Sequence, residues 1–306
     1  MAITAPRTRA DFAGFLTPEM SAPIFERAAK ASVAMQLAQQ TPLGPNGKSI
    51  PVVTGRLTAG WVAEAARKPA SEATLALKTM TPHKVAAIAV VSAEVVRANP
   101  GNYMQILRNQ VGEAFAVAFD NAAFHDAGPD GTAGGGPFAT YLDQSPHAVE
   151  MGSTSQAGGG IHGDFAAALG VLVADGKRLT GWALDNTLEP TLWAAVDING
   201  RPLYIDLPTD DTSGTLARPG RLLNRPSYMG DVMDGTTIVG YGGDWQQAAW
   251  GVVGGITYDV STEAAVTING ALVSLFENNL VAVRAEAEYG WLVADPNSFV
   301  KLTDAL

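Results

Sequence analysis

The chain has 306 residues, of which 47% are hydrophobic and 16% are charged, with a net charge of −10 and no cysteine. The length allows one large domain or two modest ones. The absence of cysteine excludes disulfides and thiolate metal sites, and the acidic balance argues against nucleic-acid binding as the main task. No segment approaches the ~20 apolar residues of a membrane helix, and the N-terminus lacks a signal-peptide core. We therefore expect a protein that is made in the cytoplasm and has no membrane partner.

The low charge content is informative, because soluble domains carry about 25% charged residues. A chain with 16% suits a protein that hides much of its surface against neighbours. An Ala-rich composition inherited from a GC-rich genome gives the same value, and the two explanations are compatible.

The first 84 residues predict an arm and a long excursion. Residues 1–27 carry three prolines and no sustained period, which predicts an arm. Ala28–Gln40 is Ala-rich and predicts a helix. Ile50–Val53 and Thr74–Leu77 predict two strands of an excursion that is polar for its length over residues 54–84. Because an isolated two-stranded hairpin is marginal in water, we expect this excursion to rest on another subunit.

The central region predicts a strand and the longest helix. Val85–Val91 predicts a strand, and Ser92 is a good N-cap for the short helix that follows it. After the candidate cap Asn102, apolar residues recur at three- and four-residue steps. They predict a helix over residues 103–125, which is about 35 Å long at 1.5 Å per residue.

The second half mixes loops, helices and strands. The Gly-rich residues 127–137 and 151–163 predict mobile loops, and Asp164 predicts the N-cap of a helix over residues 164–174. Residues 199–230 carry four prolines and predict a loop region. Strands are predicted near residues 182–184, 237–241, 248–260 and 280–285. Strands at both ends with helices between them predict an α+β chain.

A search for catalytic or cofactor-binding motifs finds none. The run Gly131–Gly136 lacks the Gly-Lys-Ser/Thr of a phosphate-binding loop. The four histidines lack the spacing of a helical metal site, and no Gly-x-Ser-x-Gly nucleophile elbow occurs. We therefore expect a protein that is not a conventional enzyme and has no cofactor or metal.

Four segments, taken in order, resemble the major capsid proteins of tailed phages, which share the Hong Kong 97-type chainmail fold. They are IPVVTGRLTAGWVAEAARKPASEATLALKTMTPHKVAAIAVVSAEVV (50–96), NYMQILRNQVGEAFAVAFDNAAFHD (102–126), GDWQQAAWGVVGGITYDVS (243–261) and LFENNLVAVRAEAEYGWLVADPNSFVKLT (275–303). The joint order and spacing of these segments carry the resemblance, which runs from about Ala28 to Leu302.

The resemblance implies an α+β fold with an N-terminal arm, an extended β-hairpin loop, a peripheral domain with a long spine helix, and an axial domain. The implied parts are the arm (1–27), the start of the peripheral domain (28–49), the extended loop (50–85), the peripheral domain with the spine helix (86–126), the axial domain (127–250) and the closing strands of the peripheral domain (251–306).

The resemblance also implies the partners. Such subunits form hexamers and pentamers of an icosahedral shell, which encloses phage genomic DNA in the virion and is assembled in the cytoplasm of the host bacterium. No long helical scaffold domain precedes the arm, which implies a separate scaffolding protein. A portal protein and a decoration protein are further implied partners. The net charge of −10 predicts that the packaged DNA is enclosed without being tightly bound.

Some members of this family join their subunits through isopeptide bonds between Lys and Asn, with a Glu that acts on the proton balance. The matching segments place these residues at Lys68, Asn279 and Glu286. On a straight strand, the seven-residue gap between Asn279 and Glu286 would put their side chains on opposite faces, so we expect one bond to draw on different subunits. Alternatively, as in capsids that never cross-link, Lys68 forms a salt bridge and Glu286 an ion pair.

Two other functions stay open at this point. An encapsulin-like nanocompartment shares the fold and encloses cargo enzymes, and packaged protein in place of DNA would identify it. A soluble enzyme is the third hypothesis, and a monomeric, active species in solution would favour it.

Overall fold

The computed structural model describes most of the chain. The described residues are 32–53, 59–62, 64, 67–68, 75–98, 103–128, 132–155, 159–195, 204–206, 217–230, 237–268 and 270–304. The predicted arm at residues 1–27 and the predicted cap Asn102 lie outside the described residues.

After one short helix comes a run of strands, most of the helices lie in the middle, and a long run of strands ends the described part of the chain, which confirms the α+β prediction. The helices are α1 Val33–Leu37, α2 Ala93–Ala98, α3 Tyr103–His125, α4 Ile161–Ala174 and α5 Glu189–Ala194. The strands are β1 Gln39–Gln40, β2 Lys48–Val53, β3 Leu75–Met80, β4 His83–Ser92, β5 His147–Met151, β6 Gly181–Asp185, β7 Tyr204–Asp206, β8 Arg218–Leu222, β9 Arg225–Gly230, β10 Ile238–Gly243, β11 Ala248–Ser261, β12 Ala265–Ile268, β13 Ala271–Ser274, β14 Leu280–Val293 and β15 Phe299–Asp304.

The strands form two larger sheets and two hairpins. The four-stranded sheet has the order β1-β11-β14-β4, and the seven-stranded sheet has the order β5-β15-β10-β6-β9-β8-β7. The two hairpins are β2-β3 and β12-β13. The last strand, β15, pairs with β10 and β5 in the seven-stranded sheet, so the first and last described strands belong to different sheets.

The long helix α3 has the predicted bounds, residues 103–125, and packs on the four-stranded sheet through one aromatic residue. The ring of Phe119 meets the rings of Tyr289, Trp291 and Trp250 edge-on, at centroid distances of 5.5, 5.8 and 6.4 Å. Edge-to-face pairs of this kind contribute ~0.5–1.5 kcal/mol each beyond the burial of their area. Phe119 therefore fixes the helix against the middle of the sheet.

The seven-stranded sheet is covered on both faces. Successive side chains of a strand point to opposite faces. In β6, Trp182 and Leu184 pack with Phe165 of α4, whereas Ala183 belongs to the core around α3. All five residues of β6 are therefore buried, and the strand lacks the alternation of polar and apolar residues that a half-exposed strand shows.

A buried carboxylate joins the start of the described chain to α3. Asp120 accepts hydrogen bonds from Ser32 Oγ at 2.5 Å, from the backbone N–H of Val33 at 2.7 Å and from that of Ala34 at 3.2 Å. The Ser32 hydroxyl also accepts a hydrogen bond from the N–H of Met35. The free N–H groups at the start of α1 are thus satisfied by side chains. Burial raises the pKa of Asp120 to about 7, against the opposing effect of these hydrogen bonds.

Replacing Asp120 by asparagine tests this carboxylate through the pH dependence of stability. Its folded-state pKa of about 7 lies above the ordinary value of 3.8. The stabilisation linked to its protonation is therefore complete below pH 3.8 and is lost as the pH rises through 7. We expect the unfolding free energy of the wild type, relative to Asp120→Asn, to decrease between about pH 4 and about pH 7 in urea titrations. An unchanged difference would contradict the raised pKa.

The predicted role of Asp164 as an N-cap is wrong. Helix α4 begins three residues earlier, at Ile161, and its N-cap is Gly160. Asp164 is fully buried and accepts hydrogen bonds from the N–H groups of Gly152 at 2.8 Å and Thr154 at 3.0 Å. The carboxylate therefore holds the loop that precedes the helix, which places residues 152–154 in a defined position instead of the predicted mobile one.

Two further predictions fail because tertiary pairing overrides local sequence signals. The predicted loop at residues 199–230 contains β7, β8 and β9, and β9 pairs with both β8 and β6. The helix predicted over residues 28–40 covers only Val33–Leu37 of the described residues, because Gln39–Gln40 forms a strand parallel to Ala249–Trp250. The predicted Ser92 cap is confirmed, since its hydroxyl accepts a hydrogen bond from the N–H of Val95 at 3.3 Å.

Candidate functional site

The predicted excursion is a hairpin held at its base. Strands β2 and β3 pair antiparallel along their whole length, which confirms the two predicted strands. Met80 is fully buried against Leu43 and Leu292. Lys78 Nζ donates a hydrogen bond to the carbonyl oxygen of Val293 at 3.3 Å. The body of the subunit thus fixes one end of the hairpin.

One face of the same hairpin is apolar and open. Leu75 and Leu77 share this face because they are two residues apart on β3, and they are 67% and 72% exposed. Trp61 and Val62, between the two strands in sequence, are exposed as well. A group of large exposed apolar side chains is typical of a surface that contacts another molecule.

The predicted residue Glu286 lies on the open face of the four-stranded sheet, among charges of both signs. Its carboxylate pairs with Lys84 Nζ at 3.2 Å and with Arg284 Nε at 3.3 Å. Arg284 also donates to Asp259 Oδ2 at 2.6 Å, and this bond, followed by the charge of Glu286, raises the pKa of Arg284. The neighbouring Ala285 is buried in the core with α3, so Glu286 points away from that helix.

The other two predicted residues, Lys68 and Asn279, are exposed. Asn279 lies in the turn before β14 with a φ of 51°, and its carbonyl oxygen accepts a hydrogen bond from the N–H of Ala93 at 3.0 Å. Because this left-handed residue precedes the strand, strand alternation does not relate it to Glu286, and the argument that placed the two side chains on opposite faces fails. In the part of one subunit that the structure describes, no hydrogen bond or ion pair joins Lys68 to Asn279 or Glu286.

The glycine-rich run after α3 has a defined structure over residues 132–137, whereas the sequence predicted a mobile loop. The N–H groups of Gly134, Gly135 and Gly136 all donate to the carbonyl oxygen of Asp126, at 2.9, 3.0 and 2.8 Å. Asp126 itself is left-handed, with a φ of 55°. Three consecutive N–H groups therefore close the chain around the end of the helix, and glycine permits their close approach.

Replacing Gly136 by alanine should destabilise this loop, whereas replacing Gly135 should not. A Cβ at Gly136 would lie 2.6 Å from the carbonyl carbon of Asp126, whereas a Cβ at Gly135 would meet nothing within 4 Å. We expect Gly136→Ala to cost about 1–3 kcal/mol of unfolding free energy and Gly135→Ala to stay within about 0.5 kcal/mol of the wild type. If the two variants lose the same unfolding free energy in urea titrations, the close approach of Gly136 to Asp126 is not needed for stability.

Sequence reasoning missed a second exposed hairpin, formed by β12 and β13. Leu272 and Phe276, on and just after β13, are 76% and 78% exposed. The signal was present, because Asn269-Gly270 lies between apolar runs, and Asn-Gly is the strongest short hairpin signal. Gly270 has the positive φ, 80°, that such turns need.

The described residues contain no group of three or more His, Cys, Asp or Glu side chains that could hold a metal ion. Over those same residues, no helix combines the length and the hydropathy needed to cross a membrane.

Comparison with known proteins extends the resemblance to nearly the whole chain. The model of the phage capsid family matches residues 13–304. The chain is 41% identical over 303 residues to the probable major capsid protein gp17 of Mycobacterium phage D29, an alignment that covers 96% of this chain and 92% of that protein. It is 25% identical over 301 residues to the major capsid protein of Staphylococcus phage 80alpha, with 95% of this chain and 86% of that protein covered.

Solved structures share the fold. A structure from Gordonia phage Cozz matches with a TM-score of 0.68 and 25% identity, over 90% of this chain and 87% of that chain. One from Mycobacterium phage Adephagia matches with a TM-score of 0.70 and 17% identity, over 99% of both chains. The chain therefore belongs to the phage capsid family, and it is a major capsid protein, a structural subunit of the icosahedral shell of a bacteriophage virion.

Proposed function

We propose that the hairpin β2-β3, with the segment between its strands, lies across a neighbouring subunit of the same hexamer or pentamer. The observation that carries this proposal is the open apolar face of Leu75 and Leu77, which a single subunit leaves 67% and 72% exposed. Burial of two leucines stabilises a contact by about 3–6 kcal/mol. Every subunit of a shell repeats this contact, so a modest gain per subunit suffices to order the hairpin.

The two larger sheets support the proposed division into a peripheral and an axial domain. The four-stranded sheet with α3 would be the peripheral domain, and the seven-stranded sheet with α4 and α5 the axial domain. Strand β15 belongs by pairing to the seven-stranded sheet, so the last strand would tie the two domains together. A separate scaffolding protein, a portal protein and a decoration protein are the further partners, and DNA would be enclosed without being tightly bound.

Electron microscopy of the assembled particles tests the proposed contact directly. In a map of the shell, Leu75 and Leu77 of one subunit should be buried against the next subunit around the capsomer axis. Hexamers and pentamers should both show this contact. A map in which the hairpin folds back on its own subunit, or points into solvent, would contradict the proposal.

We also propose a covalent step, in which Lys68 of one subunit joins Asn279 of another. The lysine Nζ, after losing a proton, attacks Cγ of the asparagine side chain. A bond forms between Nζ and Cγ, the bond from Cγ to the amide nitrogen breaks, and that nitrogen leaves as ammonia after taking up a proton. Glu286 would receive the lysine proton and pass it on.

The exposed positions of Lys68 and Asn279 support this step, because both side chains can meet a neighbouring subunit. The surroundings of Glu286 set a condition on it. Its carboxylate oxygens already pair with Lys84 and Arg284, so both are occupied before a neighbour docks. Docking of the neighbour would have to open at least one of these ion pairs, which would restrict the reaction to assembled shells.

A further inference from the structure

An apolar groove runs beside α3 on the side of β4. It has a volume of about 680 Å³ and is bounded by α3, by the first residues of β4 and by the loop after α3. Ala114 and Ala118 line its helix side and are exposed, and Val85, Pro137 and Phe138 line the rest. The volume is within the range of sites that hold one or two bulky apolar groups.

The groove adjoins an open sheet edge. Strand β4 is the last strand of the four-stranded sheet and pairs with β14 along one side. Among the strands that the structure describes, none pairs with its other side. An open edge offers backbone N–H and C=O groups to an extended segment, so the natural occupant of this groove is an extended stretch of chain with a bulky apolar side chain.

The chain itself supplies such a segment at the right place. The hydrogen bonds of Asp120 with Ser32 and Val33 hold the start of the described chain on α3. At 3.6 residues per turn, Asp120 lies about two fifths of the helix circumference from the centre of the helix residues that line the groove. The first described residues therefore lie on the same helix that forms one wall of the groove.

The preceding residues also have suitable chemistry. Ile24 and Phe25 are bulky and apolar, and Pro23 before them disfavours a continuing helix. Phe25 lies seven positions before Ser32 in sequence, and seven extended residues span up to about 25 Å. This length exceeds the ~10–12 Å diameter of a helix, so the segment can reach the groove of its own subunit without strain.

We propose that residues 22–31 of each subunit fold back along α3 of the same subunit, place the ring of Phe25 in the groove and pair with the open edge of β4. The segment would thereby cover the apolar floor formed by Ala114 and Ala118. It would also direct the rest of the N-terminal arm along a fixed path from each subunit.

Engineered disulfide formation in the full-length chain tests the proposal. Because the chain has no native cysteine, only the two introduced cysteines can form a disulfide. Phe25→Cys with Ala118→Cys should oxidise to an internal disulfide, because Cα atoms about 4.4–6.8 Å apart can be bridged. The product should run as a single subunit on a non-reducing gel and yield the cross-linked peptide by mass spectrometry. Phe25→Cys with Ala174→Cys, on the exposed face of α4, is the control and should not oxidise.

Two results would overturn the proposal. A disulfide-linked dimer formed by Phe25→Cys with Ala118→Cys would show that the groove receives the arm of a neighbour. If Phe25→Cys with Ala118→Cys forms no more disulfide than the control with Ala174→Cys, Phe25 is not in the groove.

A second measurement does not depend on the disulfide. Ala118→Glu places a charge on the groove floor at an exposed site, and Ala174→Glu is a matched control on another exposed helix face. Trypsin can cut after Arg27 and Lys30, which lie within the proposed segment. We expect Ala118→Glu to accelerate these cuts by about tenfold, since local opening costs less free energy, and Ala174→Glu to leave the rate unchanged. Equal rates in the two variants would overturn the proposal.

Discussion

Replacing Leu75 and Leu77 together by aspartate should abolish shell assembly while the subunit stays folded. Both side chains are largely exposed in one subunit, at 67% and 72%, so the change removes little of the subunit's own core. In the proposed contact, each subunit would lose about 3–6 kcal/mol of apolar burial and would bury two unpaired charges. We expect closed particles in the wild type and only small soluble species in the variant by sedimentation and electron microscopy.

The control keeps shape and apolar character. Leu75→Met with Leu77→Met conserves volume closely and should still give closed particles. Circular dichroism should be the same for both double variants and the wild type, which separates a loss of assembly from a loss of folding. Normal shells from the aspartate variant would show that this face is not part of an essential contact.

The elements that sequence predicts best are those whose signal is local. Apolar residues at three- and four-residue steps gave the bounds of α3 correctly, because an apolar face of this helix around Phe119 packs in the core. The hairpin β2-β3 was found from its β-branched and alternating residues, and its need for outside support was inferred from its isolation. The open leucine face of that hairpin agrees with this inference.

Polar residues with distant partners were the main source of error. Asp120 looks like an ordinary polar position in a helix, yet it binds Ser32, 88 residues earlier in the chain. Asp164 was predicted to cap helix α4, yet it lies inside that helix and its carboxylate accepts a hydrogen bond from Gly152 in the preceding loop. A short polar side chain near a helix end has several possible backbone partners, and sequence does not say which one the fold brings close.

The candidate cross-linking site shows a different limit of sequence reasoning. Lys68, Asn279 and Glu286 were selected by resemblance, and a single subunit leaves the first two exposed while it pairs Glu286 with Lys84 and Arg284. A site that is built from two subunits cannot be assembled by the contacts of one. The left-handed turn at Asn279 also could not be foreseen, because alternation within a strand gives no information about the residue before it.

Mature particles boiled in denaturant should give a ladder of bands at multiples of 31.8 kDa if Lys68 joins Asn279 of a neighbour. Lys68→Arg should remove the ladder completely, because a guanidinium keeps the charge but stays protonated and cannot deliver an amine. Shells should still assemble, since the contact surface is nearly unchanged. The measurement is a denaturing gel, with mass spectrometry to identify the linked peptide and the loss of one ammonia for each bond.

Glu286→Gln tests the proton acceptor in the same gel, with Glu288→Gln as its matched control. Both residues lie on the same face of β14, two positions apart, but Glu286 is the one that pairs with Lys84 and Arg284. We expect Glu286→Gln to slow ladder formation by about 10²-fold or more, the usual contribution of a positioned base, and Glu288→Gln to leave it unchanged. If both variants slow ladder formation equally, the reaction depends on the negative charge of this face and not on Glu286 as a specific base. A single subunit band from mature wild-type particles would refute the covalent step and leave the shell itself unaffected, because the contacts of Leu75 and Leu77 do not depend on it.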